Sequence, residues 1–168
     1  MSMESIRESV GSLWDNLAEG WRHLTRSAVG ALTRFRAGEK SNLPTPAEVD
    51  DPSYLPTRGW AMLGGNMFED DSRLVVRLEL PGMDKQDMNI EIWDDVLVVS
   101  GEKHFQRESS EGRYRLLQCA YGSFRRVVPL PVPVLADAST ASYTDGILRI
   151  ELSKAEPGRP KVRTIRVS

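Results

Sequence analysis

With 168 residues, 40% of them hydrophobic and 27% charged, the chain has room for one compact domain of roughly 100 residues with appended segments and is too short for two ordinary domains. Lysine and arginine number 22 against 24 aspartates and glutamates, and a net charge of −2 gives no overall field that would draw nucleic acid or an anionic membrane. The single cysteine, Cys119, excludes an internal disulfide, and Glu4, Arg7 and Glu8 interrupt any secretory segment at the start, so a reducing cytoplasm is the expected setting.

Apolar residues first recur in steps of three and four: Ile6, Val10, Leu13, Trp14, Leu17, Trp21, Leu24, Ala28, Ala31, Leu32 and Phe35. That spacing predicts an amphipathic helix over 5–36, single or broken near Gly20 or Gly30, in an N-terminal arm spanning 1–37. Ser5 and Glu8 stand at capping-box spacing at its start. The stripe must find cover on the rest of the chain, on a copy of itself or on other apolar surfaces. Asp15 and Glu19 weigh against a membrane-surface helix. No run approaches the roughly 18 apolar residues of a membrane-spanning helix. Residues 38–65 then bring Pro44, Pro46, Pro52, Pro56, Gly59, Gly64 and Gly65 without periodicity, which reads as an extended linker.

From residue 66 the period becomes two. Leu74, Val76, Leu78 and Leu80 alternate with Arg73, Arg77 and Glu79 before a turn at Pro81-Gly82. Met88, Ile90 and Ile92 follow, then Asp94-Asp95 as a hairpin turn into the run 96–99, with Gly101 expected to end that strand. Further strands are expected at 114–121, 124–130, 139–143 and 147–152, with a turn at Asp145-Gly146. Short strands with such punctuation predict an all-β, immunoglobulin-like sandwich over 66–154. A polar tail, 155–168, ends in Ile165-Arg166-Val167, two branched side chains that point the same way when extended.

Residues that would carry chemistry are absent as constellations. His23 and His104 have no triad motif around them, and two distant histidines with one cysteine lack zinc-ligand spacing. Asp70-Asp71 and Asp94-Asp95 read as turn formers rather than calcium ligands, and no phosphate-cradling glycine loop occurs. No catalytic residue, cofactor or metal is therefore expected. Cys119, within an expected strand, is assigned to buried packing rather than redox sensing. Of Arg125-Arg126, on alternating strand faces, one reads as a structural ion-pair residue, and a single basic pair is weak evidence for a nucleic-acid contact.

The blocks Glu79-Leu80-Pro81-Gly82-Met83, Val96 to Lys103, Tyr121-Gly122-Ser123-Phe124-Arg125-Arg126 with Leu130-Pro131, Ala141 to Leu148 and Ile165-Arg166-Val167 appear in one order over 66–168. In these the chain resembles the small heat shock protein (Hsp20) family, whose shared unit is the α-crystallin domain. Gln118-Cys119 stands where relatives often carry Glu-Arg, and Ser153-Lys154 replaces the usual Pro-Lys. The resemblance implies an ATP-independent holdase that keeps partly unfolded clients from aggregating and works as a large oligomer of dimers. It implies client contact through Trp14, Leu17, Trp21, Leu24, Leu32 and Phe35. A dimer would form by strand exchange involving Met67, Phe68, Phe105, Tyr114 and Arg126. Ile165 and Val167 would anchor in a groove lined by Met88, Ile90, Ile92, Ala141 and Tyr143 of another dimer. A p23-like co-chaperone or adaptor is the alternative, and it leaves the Ala141–Leu148 block and the tail together unexplained.

Overall fold

The computed structural model describes residues 17–19, 30–38, 41–57 and 59–156. Its strands are β1 (Leu32–Phe35), β2 (Gly59–Met62), β3 (Gly65–Glu69), β4 (Arg73–Glu79), β5 (Met88–Trp93), β6 (Val96–Lys103), β7 (Gly122–Pro129), β8 (Val134–Thr144) and β9 (Ile147–Lys154), with single 3-10 turns at Pro46–Glu48 and Lys85–Asp87. All the strand pairs are antiparallel. They form a four-stranded sheet in the order β3-β4-β9-β8, a three-stranded sheet β5-β6-β7 and a small sheet β1-β2.

Period-two patterning decides which face meets the core. Leu74, Val76 and Leu78 of β4 and Leu148, Ile150 and Leu152 of β9 are buried, as are Leu97 and Val99 of β6. Removing each such side chain from water is worth about 1.5–3 kcal/mol, enough to hold two sheets face to face. Asp145 and Gly146, both with positive φ (52° and 77°), make the β8–β9 hairpin turn. Leu80 N–H donates to the Gly146 carbonyl at 2.8 Å, tying that turn to the end of β4. Asp70 does form a turn: its carboxylate accepts from the N–H of Ser72 and of Arg73, each at 2.9 Å.

The alternation of β9 carries one more residue inward than hydrophobicity alone allows. Lys154 takes the next core-facing slot and is 4% exposed. Its ammonium donates to Glu69 Oε1 at 2.8 Å and to the Asp70 carbonyl at 3.2 Å. A buried ammonium costs several kcal/mol when unpaired, so the C-terminal end of β9 depends on the end of β3.

Four expectations need correction. Residues 17–19 are helical, but Leu32–Phe35 is a strand, so the helix does not run on to 36. The three-residue step from Leu32 to Phe35 fits helix spacing, yet Thr33 and Phe35 face inward and Leu32 and Arg34 outward, and core burial of Phe35 decides the matter. Most of the expected helix lies outside the described residues. The proline-rich stretch is not a bare linker, because it holds β2, pairs through it with β1, and buries Ser41, Val49 and Leu63. Residues 114–121 are not a strand: Tyr114 makes one isolated bridge to Val49 and the remainder is irregular, leaving Cys119 exposed rather than packed. Gly101 does not end β6, which continues to Lys103. A Cβ at position 101 would collide with the Asp87 carbonyl oxygen, so glycine serves a close strand approach there.

Candidate assembly surfaces

Two sheet edges lie open on the same side of the sandwich. β5 is a terminal strand of the three-stranded sheet and β8 of the four-stranded one, so each has a row of backbone groups without a strand partner among the described residues. Between them run two adjoining hollows. One, of about 290 Å³, is lined by Lys85, Met88, Ile90, Ala141, Ser142, Tyr143 and Leu148. The other, of about 210 Å³, is lined by Ile90, Ile92, Ala136, Ser139, Thr140, Ala141, Ile150 and Leu152. The five expected groove residues, Met88, Ile90, Ile92, Ala141 and Tyr143, are thus brought together, with core residues of β9 as the floor.

Local chemistry holds this groove open. The Tyr143 hydroxyl donates to the Leu80 carbonyl at 2.6 Å and accepts from Met83 N–H at 3.3 Å, which fixes the ring at the rim while satisfying its polar end. Register between β8 and β9 shifts between Leu135 and Thr140, and Ser139 Oγ closes that irregularity by donating to the Leu135 carbonyl at 2.6 Å. Ala136 and Ser139, within that irregular stretch, line the second hollow.

The expected exchange residues fall in separate places. Met67 and Phe68 are exposed on β3, the other terminal strand of the four-stranded sheet. Phe105 is buried and packs edge-on against both Tyr114 and Tyr121, with ring centroids 5.2 Å apart in each case. Burial, above all, pushes the Tyr121 phenol up. Arg126 on β7 is half-buried; its Nε is buried and lacks a hydrogen-bond partner among the described residues, and desolvation lowers the pKa of its guanidinium.

The loop carrying Tyr114 lies on residues of its own chain. Tyr114 N–H donates to the Glu48 carbonyl at 3.0 Å, and Asp50 N–H donates to the Tyr114 carbonyl at 2.7 Å. Arg107 pairs with Glu48 at 2.7 Å, Arg115 pairs with Asp50, and Leu117 N–H donates to Asp51 at 3.2 Å. The Thr45 N–H, then Arg107, hold the Glu48 carboxyl below its ordinary range; the Ser53 hydroxyl and N–H, then the Leu117 N–H, do the same for Asp51. Nothing in the residue pattern at 48–51 announced this seat. Its only trace in the sequence is three acids facing a loop with three arginines at 107, 113 and 115.

Of the expected client residues, Leu17 and Leu32 are exposed, while Phe35 is 2% exposed and packs on Phe124 with ring centroids 5.3 Å apart. Phe35 is a core residue and is unavailable to a client. Trp14, Trp21 and Leu24, and the tail residues Ile165 and Val167, lie outside the described residues. Beside Leu32, Trp60 and Met62 are exposed on the same outer face of β1-β2, an apolar patch that composition had assigned to a linker. No helix among the described residues is long and apolar enough to cross a membrane.

Comparison with known proteins adds four findings. The model of the Hsp20/alpha crystallin family matches residues 66–168. An 18.2 kDa class I heat shock protein of Medicago sativa is 35% identical over 154 residues, covering 82% of this chain and 98% of that protein. Small heat shock protein C2 of Rickettsia felis is 36% identical over 96 residues; that match covers 57% of this chain and 62% of the relative, so the chain spans less than two thirds of its length. Among solved structures, heat shock protein 16.0 from Schizosaccharomyces pombe superposes with a TM-score of 0.54 at 30% identity, over 63% of this chain and 97% of that one.

Proposed function

This chain belongs to the Hsp20/alpha crystallin family, and on that premise we propose that it is a holdase, a non-enzymatic chaperone that works without ATP as an oligomer of dimers. A misfolding client exposes apolar surface, and covering it with another apolar surface is favourable by about 25 cal/mol per Å², with no bond to break. Trp14, Leu17, Trp21 and Leu24, ahead of a folded body that begins at β1, and the exposed Leu32 at the start of β1 supply that surface.

Assembly uses two contacts. Residues around Phe105 to Tyr114 pass to a second copy and add to its β3 edge near Met67 and Phe68, making the dimer, with Arg126 taking an acceptor from the partner. Ile165 and Val167 then enter the groove between β5 and β8 of another dimer. The observation that carries this reading is the pair of adjoining hollows sharing Ile90 and Ala141, between two open edges. Alternate side chains of an extended segment recur about 6.7 Å apart on one face, which suits two hollows side by side. Burying both side chains is worth about 2–5 kcal/mol before ordering costs, weak singly and strong in many copies.

The test is suppression of aggregation of a heated client such as citrate synthase, in the absence of ATP. Light scattering should fall at near-stoichiometric ratio. Undiminished scattering rejects the holdase, and a monomer on sizing would favour an adaptor instead.

A further inference from the structure

Residues 48–51 and the loop joining β6 to β7 are arranged as an edge and its occupant. Tyr114 lies parallel to Val49 in an isolated bridge, and both of its backbone polar groups are spent there, on the Glu48 carbonyl and the Asp50 N–H. A residue's N–H and C=O leave an extended chain on the same side, so an edge that pairs with Tyr114 through its own N–H and C=O must displace Val49. Charge matches along the contact: Glu48 takes Arg107, Asp50 takes Arg115, and Asp51 accepts from Leu117 N–H. The Tyr114 ring is held against Phe105 at the same time.

We propose that the acidic segment Glu48–Asp51 is an interaction edge for the loop of its own chain that carries Arg107 and Arg115, alongside Glu108 and Glu111, and that this seat competes with the β3 edge of a second copy for Tyr114. The inference rests on the reading of that loop as the dimer element. Its consequence is that the free chain holds its exchange loop closed, and the rate of subunit mixing is set partly by release from Glu48 and Asp50. Raised salt loosens the seat because the Asp50–Arg115 pair is largely exposed, and screening acts on exposed charges first.

In a Cys119→Ser background, Asp50→Cys with Arg115→Cys puts two thiols where the ion pair stood. Neighbouring strands lie about 4.8 Å apart, within the roughly 4.4–6.8 Å that a disulfide spans between Cα atoms. Oxidised glutathione converts the two thiols to one disulfide and is itself reduced to two thiols. The expected product is a within-chain disulfide, running as a single chain on a non-reducing gel. Mixing of light and 15N-labelled subunits, followed by native mass spectrometry, should then be at least about tenfold slower than in the reduced form. A disulfide only between chains, no disulfide, or equal mixing rates overturns the proposal. Independently, Glu48→Lys with Asp50→Lys should speed mixing about fivefold, and adding Arg107→Glu with Arg115→Glu should return it toward the starting rate. An unchanged rate in the reversed variant also overturns it. If the unaltered chain stays monomeric and never mixes, the dimer reading and the competition both fall, while the gel still decides whether loop and edge meet.

Discussion

Strands β4 and β9 and the loop between β6 and β7 belong to one body but are held by different forces. On the core face the contact between β4 and β9 is apolar and continuous: Leu74 faces Leu152, Val76 faces Ile150 and Leu78 faces Leu148, all buried. The loop instead rests on one isolated bridge, an aromatic pair and ion pairs that are in good part exposed. Apolar burial is insensitive to pH and salt and is lost only with the fold, whereas exposed charge pairs contribute little each and yield to either. A protein that must stay folded while exchanging subunits needs both kinds of contact, in different places.

The largest expected effect falls on the sandwich. Ile150→Ala opens a cavity between the sheets and should lower stability by about 2–5 kcal/mol in urea unfolding. A loss below about 1 kcal/mol would mean that β9 is not the centre of the core. Next comes Glu69→Ala, which takes away the carboxylate 2.8 Å from the buried Lys154 ammonium and should cost about 3 kcal/mol by the same measurement. Replacing Lys154 with Met in that variant should recover much of the loss, and failure to recover would place the damage elsewhere. Tyr143→Phe, which deletes the hydroxyl bound to Leu80, should cost about 1 kcal/mol and leave the groove lining otherwise intact.

Acid sharpens the contrast between the regions. Glu48 and Asp51 at the loop seat, and Asp70 and Glu151 beside Arg73, all titrate below their ordinary values in the folded chain. For Asp70 the Ser72 N–H and then the Arg73 guanidinium are the main causes; for Glu151 they are Arg73 and then Arg149. A carboxylate whose folded pKa is depressed stabilises the fold fully above its unfolded value, near 4, and loses that contribution as pH falls through the folded value. The thermal midpoint should therefore be flat on this account between pH 6 and 8 and drop below about pH 4. Hydrogen exchange in the loop, residues 105–117, should rise before that of β4 and β9. Simultaneous loss of protection in both would show that the two regions are one cooperative unit.

Legibility in the sequence follows the same division. The strands β4, β5 and β9 could be read from period two because the core-facing side chains alternate with more polar ones, as Leu148, Ile150 and Leu152 illustrate, and β6 from the apolar run 96–99 behind a turn, whose Leu97, Val98 and Val99 are all buried. That Met88, Ile90 and Ile92 share a face follows from the same alternation, and the structure places them along the two hollows beside β8. Phe35 was misread because a single step of three cannot tell a helix from a four-residue strand, and only contact with Phe124 settles it. The loop seat was not legible at all. Tyr114 was assigned a strand for its apolar neighbours, but its partner is Val49 in a proline-rich stretch, and charge matching over such a sequence separation has no periodicity to betray it.

The most direct test of two-ended assembly is the mass in solution of the chain carrying Ile165→Ala and Val167→Ala, measured by multi-angle light scattering beside the unaltered chain at equal concentration. The expected result is a large particle for the unaltered chain and a fall to dimers for the variant, with unfolding behaviour unchanged. An equal mass for both would contradict the assignment of the β5–β8 groove as the acceptor of that tail.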